Sequence, residues 1–287
     1  MPVKLQRDAQ MNSSAGKCDL LAKQKALFSK LRSLESVLIA FSGGTDSAYL
    51  AWAAHRVLGE RALAVTALSP SFSVYDQEHT EKFVREIKLN HEYIESHEFE
   101  NPLYVVNDAS RCYHCKTELF EKLAVLRSER GFAAIAYGVN ADDLRDFRPG
   151  HRAASEQNVL APLLEANLTK SDVRDLSQRA GLSTWDRPAS PCLASRVPYG
   201  MPVTVENLSR IERAESVLRK FGFRQFRIRS YGDHARIEID SRELPRALEP
   251  ANARLIAAGV QSTGFAGVTF DPQGYRQGSL NAALNIK

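Results

Sequence analysis

The pattern of hydrophobic and polar residues alternates between short apolar runs and longer segments of helical spacing. Four short segments are predicted to be strands: 37–41, 62–68, 91–95 and 133–137. Around them, apolar residues recur every three or four positions in segments predicted to be helices: 18–34, 46–58, 77–88, 116–130 and 168–180. This order predicts an α/β fold in which helices cover both faces of a parallel sheet.

The stretch from residue 186 to 202 interrupts that pattern with prolines and glycine, which indicates a loop or linker. Beyond it, two helices and three strands of a smaller α/β unit are predicted: 205–220, 225–230, 235–240, 244–258 and 267–270. We therefore predict two domains, one over residues 16–200 and one over residues 201–287 that serves substrate binding or oligomerisation.

Composition narrows the class of protein. Hydrophobic residues make up 44% of the 287 residues and charged residues 25%, as in an ordinary globular protein. A net charge of +4 suits a small anionic substrate such as a nucleotide but does not predict DNA or RNA binding. No apolar run approaches the roughly 20 residues of a membrane span, and the polar start lacks a secretory signal. We predict a cytoplasmic protein without nucleic-acid or membrane partners.

A phosphate-binding loop is predicted where an apolar strand runs directly into a helix: Ser42, Gly43, Gly44, Thr45, Asp46 and Ser47. Glycines let the backbone approach a phosphate closely, and the free N–H groups at the helix start bind an anion. The three hydroxyls add donors. The Asp46 carboxylate is suited to hold Mg²⁺ that bridges phosphate oxygens. The spacing differs from that of the Walker A loop and of the dinucleotide-binding motif.

This loop resembles the PP-loop of the ATP pyrophosphatases, which cleave ATP between the α- and β-phosphates and leave AMP on the substrate. The resemblance implies a Rossmann-like fold with ATP at the C-terminal ends of the strands. It also implies nucleotide contacts from Asn140, which follows the strand at 133–137, and from Lys170, in the helix after Pro162-Leu163. From its surroundings alone, Lys170 would be a solvated helix charge.

The cysteines stand in distinctive contexts. Cys112 and Cys115 form a C-x-x-C pair before the helix predicted at 116, and Cys192 lies in the segment RPASPCLASR of the proline-rich loop. In a reducing compartment, cysteines in such contexts are more often metal-bound or catalytic than disulfide-bonded. Cys18 falls in a helical pattern and is predicted to be a buried, inert thiol.

Together with the phosphate loop and the segment DPQGYRQGS at 271–279, these cysteines resemble those of the LarE-type ATP-dependent sulfur transferases. The resemblance covers about residues 18–282. It implies that ATP, with Mg²⁺, adenylates a carboxylate of a pyridinium dicarboxylate mononucleotide, which then becomes a thiocarboxylate in nickel-pincer cofactor biosynthesis. It also implies a homo-oligomer, and Cys192 matches the sulfur-bearing cysteine of the family.

The family supplies sulfur in two ways. In one, the cysteine at position 192 gives up its own sulfur and becomes dehydroalanine. In the other, three cysteines hold a [4Fe-4S] cluster; we favour it because Cys112, Cys115 and Cys192 supply all three positions. A redox pair of Cys112 and Cys115, or a zinc site with His114 as a weak ligand, stays open.

Four arginines are candidates for binding the anionic substrate: Arg196, Arg227, Arg229 and Arg276. Arg227 and Arg229 share one face of a predicted strand, where two guanidiniums form a fork for phosphate or carboxylate. A solvated strand face is the alternative. Arg196, close to Cys192, is expected to lower the pKa of that thiol and to contact substrate. Glu215 and Glu238 are further candidate carboxylates.

Three other functions stay open. A tRNA thiolase would share the phosphate loop and a three-cysteine cluster, but it should carry a strongly basic RNA-binding stripe. An ammonia-dependent synthetase would need none of the cysteines. A nucleotide sensor would bind ATP without releasing pyrophosphate.

Overall fold

The first half of the chain forms a four-stranded parallel sheet. The computed structural model describes residues 18–145 and 149–280; the predicted domain limits at residues 16 and 287 lie outside them. The strands are β1 (Val37–Ala40), β2 (Ala62–Leu68), β3 (His91–Glu95) and β4 (Ala134–Tyr137), in the order β3-β2-β1-β4. The predicted α/β class and all four strands are confirmed. Because β1 lies between β2 and β4, the strand order reverses at its carboxyl end, where ligands bind in sheets of this kind.

Both faces of β1 are buried, which explains its continuous apolar sequence. Ile39 packs into one hydrophobic cluster with α1 (18–32), α2 (Thr45–Leu58), α3 (Val74–Ile87) and α8 (Lys170–Arg179). Leu38 packs into another with α5 (Arg111–Arg130) and α6 (Pro149–Glu156). The predicted cover of helices on both faces is therefore confirmed.

One predicted helix boundary is wrong in a way that matters for the site. The helix predicted from residue 116 begins at Arg111, so Cys112 and Cys115 lie in its first turns instead of before it. Its first turn has few apolar residues, and the capping residue Ser110 makes no side-chain cap, so neither helical period nor cap marks the start. The prediction that Cys18 is buried is also wrong, because that residue is exposed on α1.

The second half forms a smaller sheet of β5 (Phe226–Tyr231), β6 (His234–Ile239) and β7 (Gly267–Phe270). Strands β5 and β6 are antiparallel and β6 and β7 are parallel. This sheet packs with α9 (Val205–Lys220) through a separate hydrophobic cluster. That cluster also takes in Tyr104 and Leu193, so the two halves share side chains across residue 200, and the domain boundary there stays a prediction.

The helix predicted at 244–258 is instead two helices, α10 (Leu244–Leu248) and α11 (Pro250–Gln261). Glu249 is extended, with φ −54° and ψ 132°, because a residue before proline is disfavoured in the helical region. Two four-residue helices, α4 (Pro102–Val105) and α7 (Pro162–Glu165), were too short for a periodic pattern to predict. Among the described residues, every helix is too short or too polar to cross a bilayer.

Candidate functional site

The phosphate loop, residues 42–47, joins the carboxyl end of β1 to α2. Gly43 takes a φ of 68°, in the left-handed region that glycine adopts without strain. Gly44 is the N-cap of α2 and makes no side-chain cap. The predicted hydroxyl donors are used within the protein: Thr45 Oγ1 donates to Thr184 O at 2.9 Å, and Ser47 Oγ donates to Gly44 O at 3.1 Å. The backbone N–H groups of the first helical turn are therefore the main donors for an anion.

Gly138, at the end of β4, packs directly against the start of α2. A Cβ atom at this position would lie 2.6 Å from the Ser47 nitrogen and 2.7 Å from its Cα. Only glycine permits this approach. It brings the segment after β4 to the phosphate loop, including Asn140, which is buried and accepts from the Asp142 N–H at 2.9 Å.

Lys170 lies on the phosphate loop, although its position in sequence gave no sign of it without the family resemblance. Its Nζ is 2.5 Å from Asp46 Oδ2. The residue is the first of α8, which Thr169 and Asp172 start with a capping box. The other oxygen, Asp46 Oδ1, is buried and has no hydrogen-bond partner among the described residues, which fits a carboxylate that could take Mg²⁺. Burial raises the pKa of Asp46, and the charge of Lys170 opposes that rise.

The three cysteines come from two parts of the chain that pack together. Cys112 and Cys115 are on α5, and Cys192 precedes a 3₁₀ turn at Leu193–Arg196. The buried Arg111 joins them: its Nη1 donates to Ala194 O at 2.8 Å, and its Nη2 lies 3.8 Å from Cys112 Sγ. We call residues 187–196, which carry Cys192, the cysteine loop.

Burial dominates the ionisation of two of these thiols. Burial raises the pKa of Cys192, and Arg111 and, more weakly, Arg196 oppose it. Arg196 acts in the expected direction, but Arg111 lowers this pKa more strongly and burial outweighs both cations. Burial and the buried Glu98 carboxylate raise the pKa of Cys115 well above its usual range. Both thiols are therefore protonated near neutral pH in this state.

The donor set of three thiols fits a [4Fe-4S] cluster, in which separate irons take separate cysteines. Cys192 is near enough to the other two cysteines for their charges to interact, since Cys112 raises the pKa of Cys192 and Cys192 raises the pKa of Cys115. A site for a single metal ion is not formed: in 18–145 and 149–280, no three His, Cys, Asp or Glu side chains converge on one point. His114, the weak zinc candidate, contacts Ser110 Oγ at 3.0 Å.

Two of the four candidate arginines, Arg227 and Arg229, bond the cysteine loop, and a third, Arg196, is part of it. Arg227 and Arg229 extend from one face of β5, and they donate to Ala189 O and Ser195 O respectively. Arg196 is buried in an ion pair with Glu215, at 2.8 Å. Arg229 likewise pairs with the buried Glu238, at 2.9 Å. The solvated strand face considered as an alternative is excluded for Arg227 and Arg229, which are both buried.

Charge is concentrated around these arginines. Burial lowers the pKa of Arg227 to about 10, and the nearby cation of Arg196 adds to that effect. An anion placed between these guanidiniums would relieve their repulsion. Arg276 is half-exposed, with Nη2 at 3.3 Å from Asp271 Oδ2.

Sequence analysis missed Arg187, which bonds to the phosphate loop from the cysteine loop. Its Nη1 donates to Gly43 O at 2.7 Å, and its Nη2 donates to Asp76 Oδ1 at 2.7 Å. It also missed Arg111. Arg187 opens the segment RPASPCLASR and Arg111 directly precedes Cys112, so each is five residues or fewer from a cysteine. The contact of Arg187 with Gly43 joins positions 144 residues apart and leaves no local signal in the sequence.

Comparison with known proteins finds relatives over most of the chain. No family model matches it. A protein of Lactiplantibacillus plantarum named pyridinium-3,5-bisthiocarboxylic acid mononucleotide synthase is 33% identical over 274 residues, which cover 92% of this chain and 96% of that protein. An uncharacterised protein of Synechocystis sp. is 43% identical over 88% of this chain and 94% of its own. An uncharacterised protein of Methanocaldococcus jannaschii is 27% identical over 72% of this chain and 78% of its own.

Proposed function

Because the chain belongs to the family of the pyridinium-3,5-bisthiocarboxylic acid mononucleotide synthase, we propose that it is an ATP-dependent sulfur transferase in nickel-pincer cofactor biosynthesis. The proposed substrate is pyridinium-3,5-dicarboxylate mononucleotide, and the product carries a thiocarboxylate. One observation supports this most directly: Arg187 bonds the phosphate loop to the loop that carries Cys192. The proposed site for activating a carboxylate and the proposed site for supplying sulfur would therefore be neighbours.

The first proposed step makes the carboxylate reactive. A carboxylate oxygen attacks the α-phosphorus of ATP, the bond from that phosphorus to the bridging oxygen breaks, and pyrophosphate leaves. The N–H groups at the start of α2 bind the phosphates. Lys170 exchanges Asp46 for a phosphate oxygen, and Asp46 holds Mg²⁺ through its unpartnered oxygen. The product is an acyl adenylate with AMP as its leaving group.

The second proposed step forms the carbon–sulfur bond. A sulfur nucleophile attacks the acyl carbon, and AMP leaves with the electron pair of the carbon–oxygen bond. The guanidiniums of Arg227 and Arg229 hold the anionic substrate against the cysteine loop. In the cluster form of the proposal, Cys112, Cys115 and Cys192 would hold a [4Fe-4S] cluster that supplies an open iron for a transferable sulfide.

A second candidate for the sulfur source is Cys192 itself. It is supported by the place of Cys192 in the loop that Arg187 bonds to the phosphate loop, because that place brings its sulfur near the proposed acyl adenylate. The Cys192 thiol loses its proton to solvent, the resulting thiolate attacks the acyl carbon, and AMP leaves with the electron pair of the carbon–oxygen bond. Loss of the Cys192 α-proton then breaks the Cβ–S bond, the sulfur takes the electron pair, and dehydroalanine remains.

Two measurements separate these forms. The first is iron and sulfide analysis of protein purified without oxygen, beside Cys112→Ala, Cys115→Ala and Cys192→Ala variants, with Cys18→Ala as the matched control. The cluster form predicts about four irons per chain, lost in each of the first three variants and kept in the control.

The second measurement is the mass of Cys192 after one turnover with ATP and substrate. Loss of the mass of H₂S from an iron-free protein would establish the sacrificial form.

The activation step has its own test. Incubation with ATP and substrate should release AMP and pyrophosphate in equal amounts, measured by chromatography. Asp46→Asn and Lys170→Ala should each reduce that release at least about tenfold. The first removes the carboxylate that holds Mg²⁺, and the second removes the cation that contacts a phosphate oxygen. Lys30→Ala, which removes a surface partner of Glu165, should leave it unchanged. Consumption of ATP to ADP would contradict the proposal.

A further inference from the structure

Arg187 is held at both ends of its guanidinium by groups from different elements. Its side chain is 10% exposed. One nitrogen bonds the Gly43 carbonyl in the phosphate loop and another bonds Asp76 in the first turn of α3, both at 2.7 Å. A buried guanidinium with two fixed partners has little freedom to move independently of either.

The second carboxylate oxygen of Asp76 continues the connection to the cysteine. Asp76 Oδ2 accepts from Ser190 Oγ at 3.2 Å and from Ser73 Oγ at 2.6 Å. Ser190 stands two residues before Cys192. On the other side of the cysteine, the Leu193 N–H donates to Ser71 O at 2.8 Å. The two flanks of Cys192 therefore bond neighbouring residues: one bonds Asp76, the partner of Arg187 in the first turn of α3, and the other bonds Ser71, just before α3.

Peptide geometry links the other end of this connection to a bound phosphate. The Gly43 carbonyl and the Gly44 N–H belong to one trans peptide, so they point in opposite directions. By holding the carbonyl, Arg187 turns the Gly44 N–H away from itself, at the start of α2. An anion on that N–H polarises the peptide and strengthens the bond that its carbonyl accepts from Arg187.

We propose that Arg187 and Asp76 form a positioning pair that couples ATP in the phosphate loop to the ordering of the cysteine loop. When ATP occupies the phosphate loop, the pair fixes the segment before Cys192 and orients its sulfur. When the phosphate loop holds no ATP, the cysteine loop samples more conformations. This inference rests on the proposed function, because it takes ATP as the ligand of residues 42–47. Coupling of this kind is reciprocal, so Arg187 also strengthens ATP binding.

The test is hydrogen–deuterium exchange of the full chain with and without Mg-ATP, followed by mass spectrometry. In the natural chain, ATP should slow exchange in residues 42–47 and in residues 187–196, each by about fivefold or more. In Arg187→Gln and in Asp76→Asn, at saturating ATP, only residues 42–47 should respond. Calorimetry should show ATP affinity lowered by a similar factor. The matched control is Arg179→Gln, an exposed arginine at the end of α8, which should behave as the natural chain does.

Other outcomes overturn the inference in distinguishable ways. If ATP protects residues 42–47 of the natural chain but leaves 187–196 unchanged, the coupling is absent and the proposed function stands. If residues 187–196 still respond in both variants, the coupling does not pass through this pair. If ATP fails to protect residues 42–47 in the natural chain, the proposed function falls and this inference with it. Two variants are used because one of them can fail to fold.

Discussion

Burial, more than neighbouring charge, sets the ionisation of single side chains around the site. The pKa of Asp46 is raised although Lys170 touches it, and the pKa of Cys192 is raised although two arginines face it. The sequence places cations near Cys192 but does not report how deeply the thiol is buried. Arg196 lowers the pKa of Cys192 as expected, but the sequence could not show that burial would outweigh it.

His91 provides a pH test of this effect away from the site. Burial lowers its pKa from 6.5 to about 4, and Thr66 Oγ1 lies 2.9 Å from its Nε2. As pH falls below 6.5, the unfolded chain binds a proton that the folded chain does not take until about pH 4. The free energy of unfolding should therefore fall by about 1–2 kcal/mol between about pH 7.5 and pH 5, somewhat less than the full shift because the ring is partly exposed.

Urea unfolding at both pH values measures this difference. In His91→Gln the difference should shrink by that amount, whereas in His79→Gln, on the exposed side of α3, it should persist. An unchanged pH dependence in His91→Gln would assign the effect to other groups.

Gly138 tests the close approach of β4 to the phosphate loop. In Gly138→Ala the added methyl meets backbone atoms of Ser47, which cannot rotate away. We expect a loss of about 1–3 kcal/mol of stability and, because the start of α2 must shift, ATP affinity at least about tenfold weaker. Gly222→Ala is the control, because its new methyl meets no atom within 4 Å and only its positive φ of 80° is unfavourable for alanine. It should lose stability but keep its ATP affinity, which calorimetry measures.

The helices differ in how clearly the sequence marks their ends. Thr169 directly precedes α8 and makes a capping box there, with a residue type that favours helix starts. The start of α5 carries no such mark, and it moved five residues toward the N-terminus from its predicted position, which placed two cysteines on a helix. Pro250 divides α10 from α11 because a proline disfavours the helical conformation of the residue before it, here Glu249. Caps and prolines are local and predictable, whereas a helix start fixed by tertiary contacts is not.

Cap removal at α8 should disturb the nucleotide site through Lys170. Thr169→Ala should lose about 1 kcal/mol and weaken ATP binding severalfold, because Lys170 is the next residue. Thr204→Ala removes the corresponding cap of α9 and should lose a similar amount of stability without changing ATP binding. Equal ATP affinities in the two variants would show that α8 holds Lys170 by other contacts.

At the scale of the whole molecule, the cysteine loop contacts both the first half of the chain, through the phosphate loop, and the second half, through β5 and α9. Arginines from β5 bond its backbone, Arg187 bonds the phosphate loop, and Arg196 reaches Glu215 on α9. Sequence reasoning predicted both sheets and proposed most residues of this region. It could not predict which arginine meets which loop, because those pairings join positions far apart in the chain and follow no period.

The buried pair of Arg196 and Glu215 should carry much of the stability of this junction. Glu215→Gln leaves a guanidinium buried without its charge partner, so we expect a loss of about 3–5 kcal/mol. Glu92→Gln, in the more exposed pair with Arg130, should cost within about 1 kcal/mol. Chemical unfolding compares the two. Similar losses would mean that the Glu215 site relaxes or hydrates.

The position of β1 between β2 and β4 has a consequence for the chain as it leaves the ribosome. β1 finds β2 soon after it emerges, but its other neighbour is about a hundred residues later, a delay of about 5–20 s at usual rates of synthesis. During that interval one edge of an apolar strand is unpaired, and Gly138 has not yet been made. The nascent chain should therefore be most dependent on chaperones between the synthesis of β2 and that of β4.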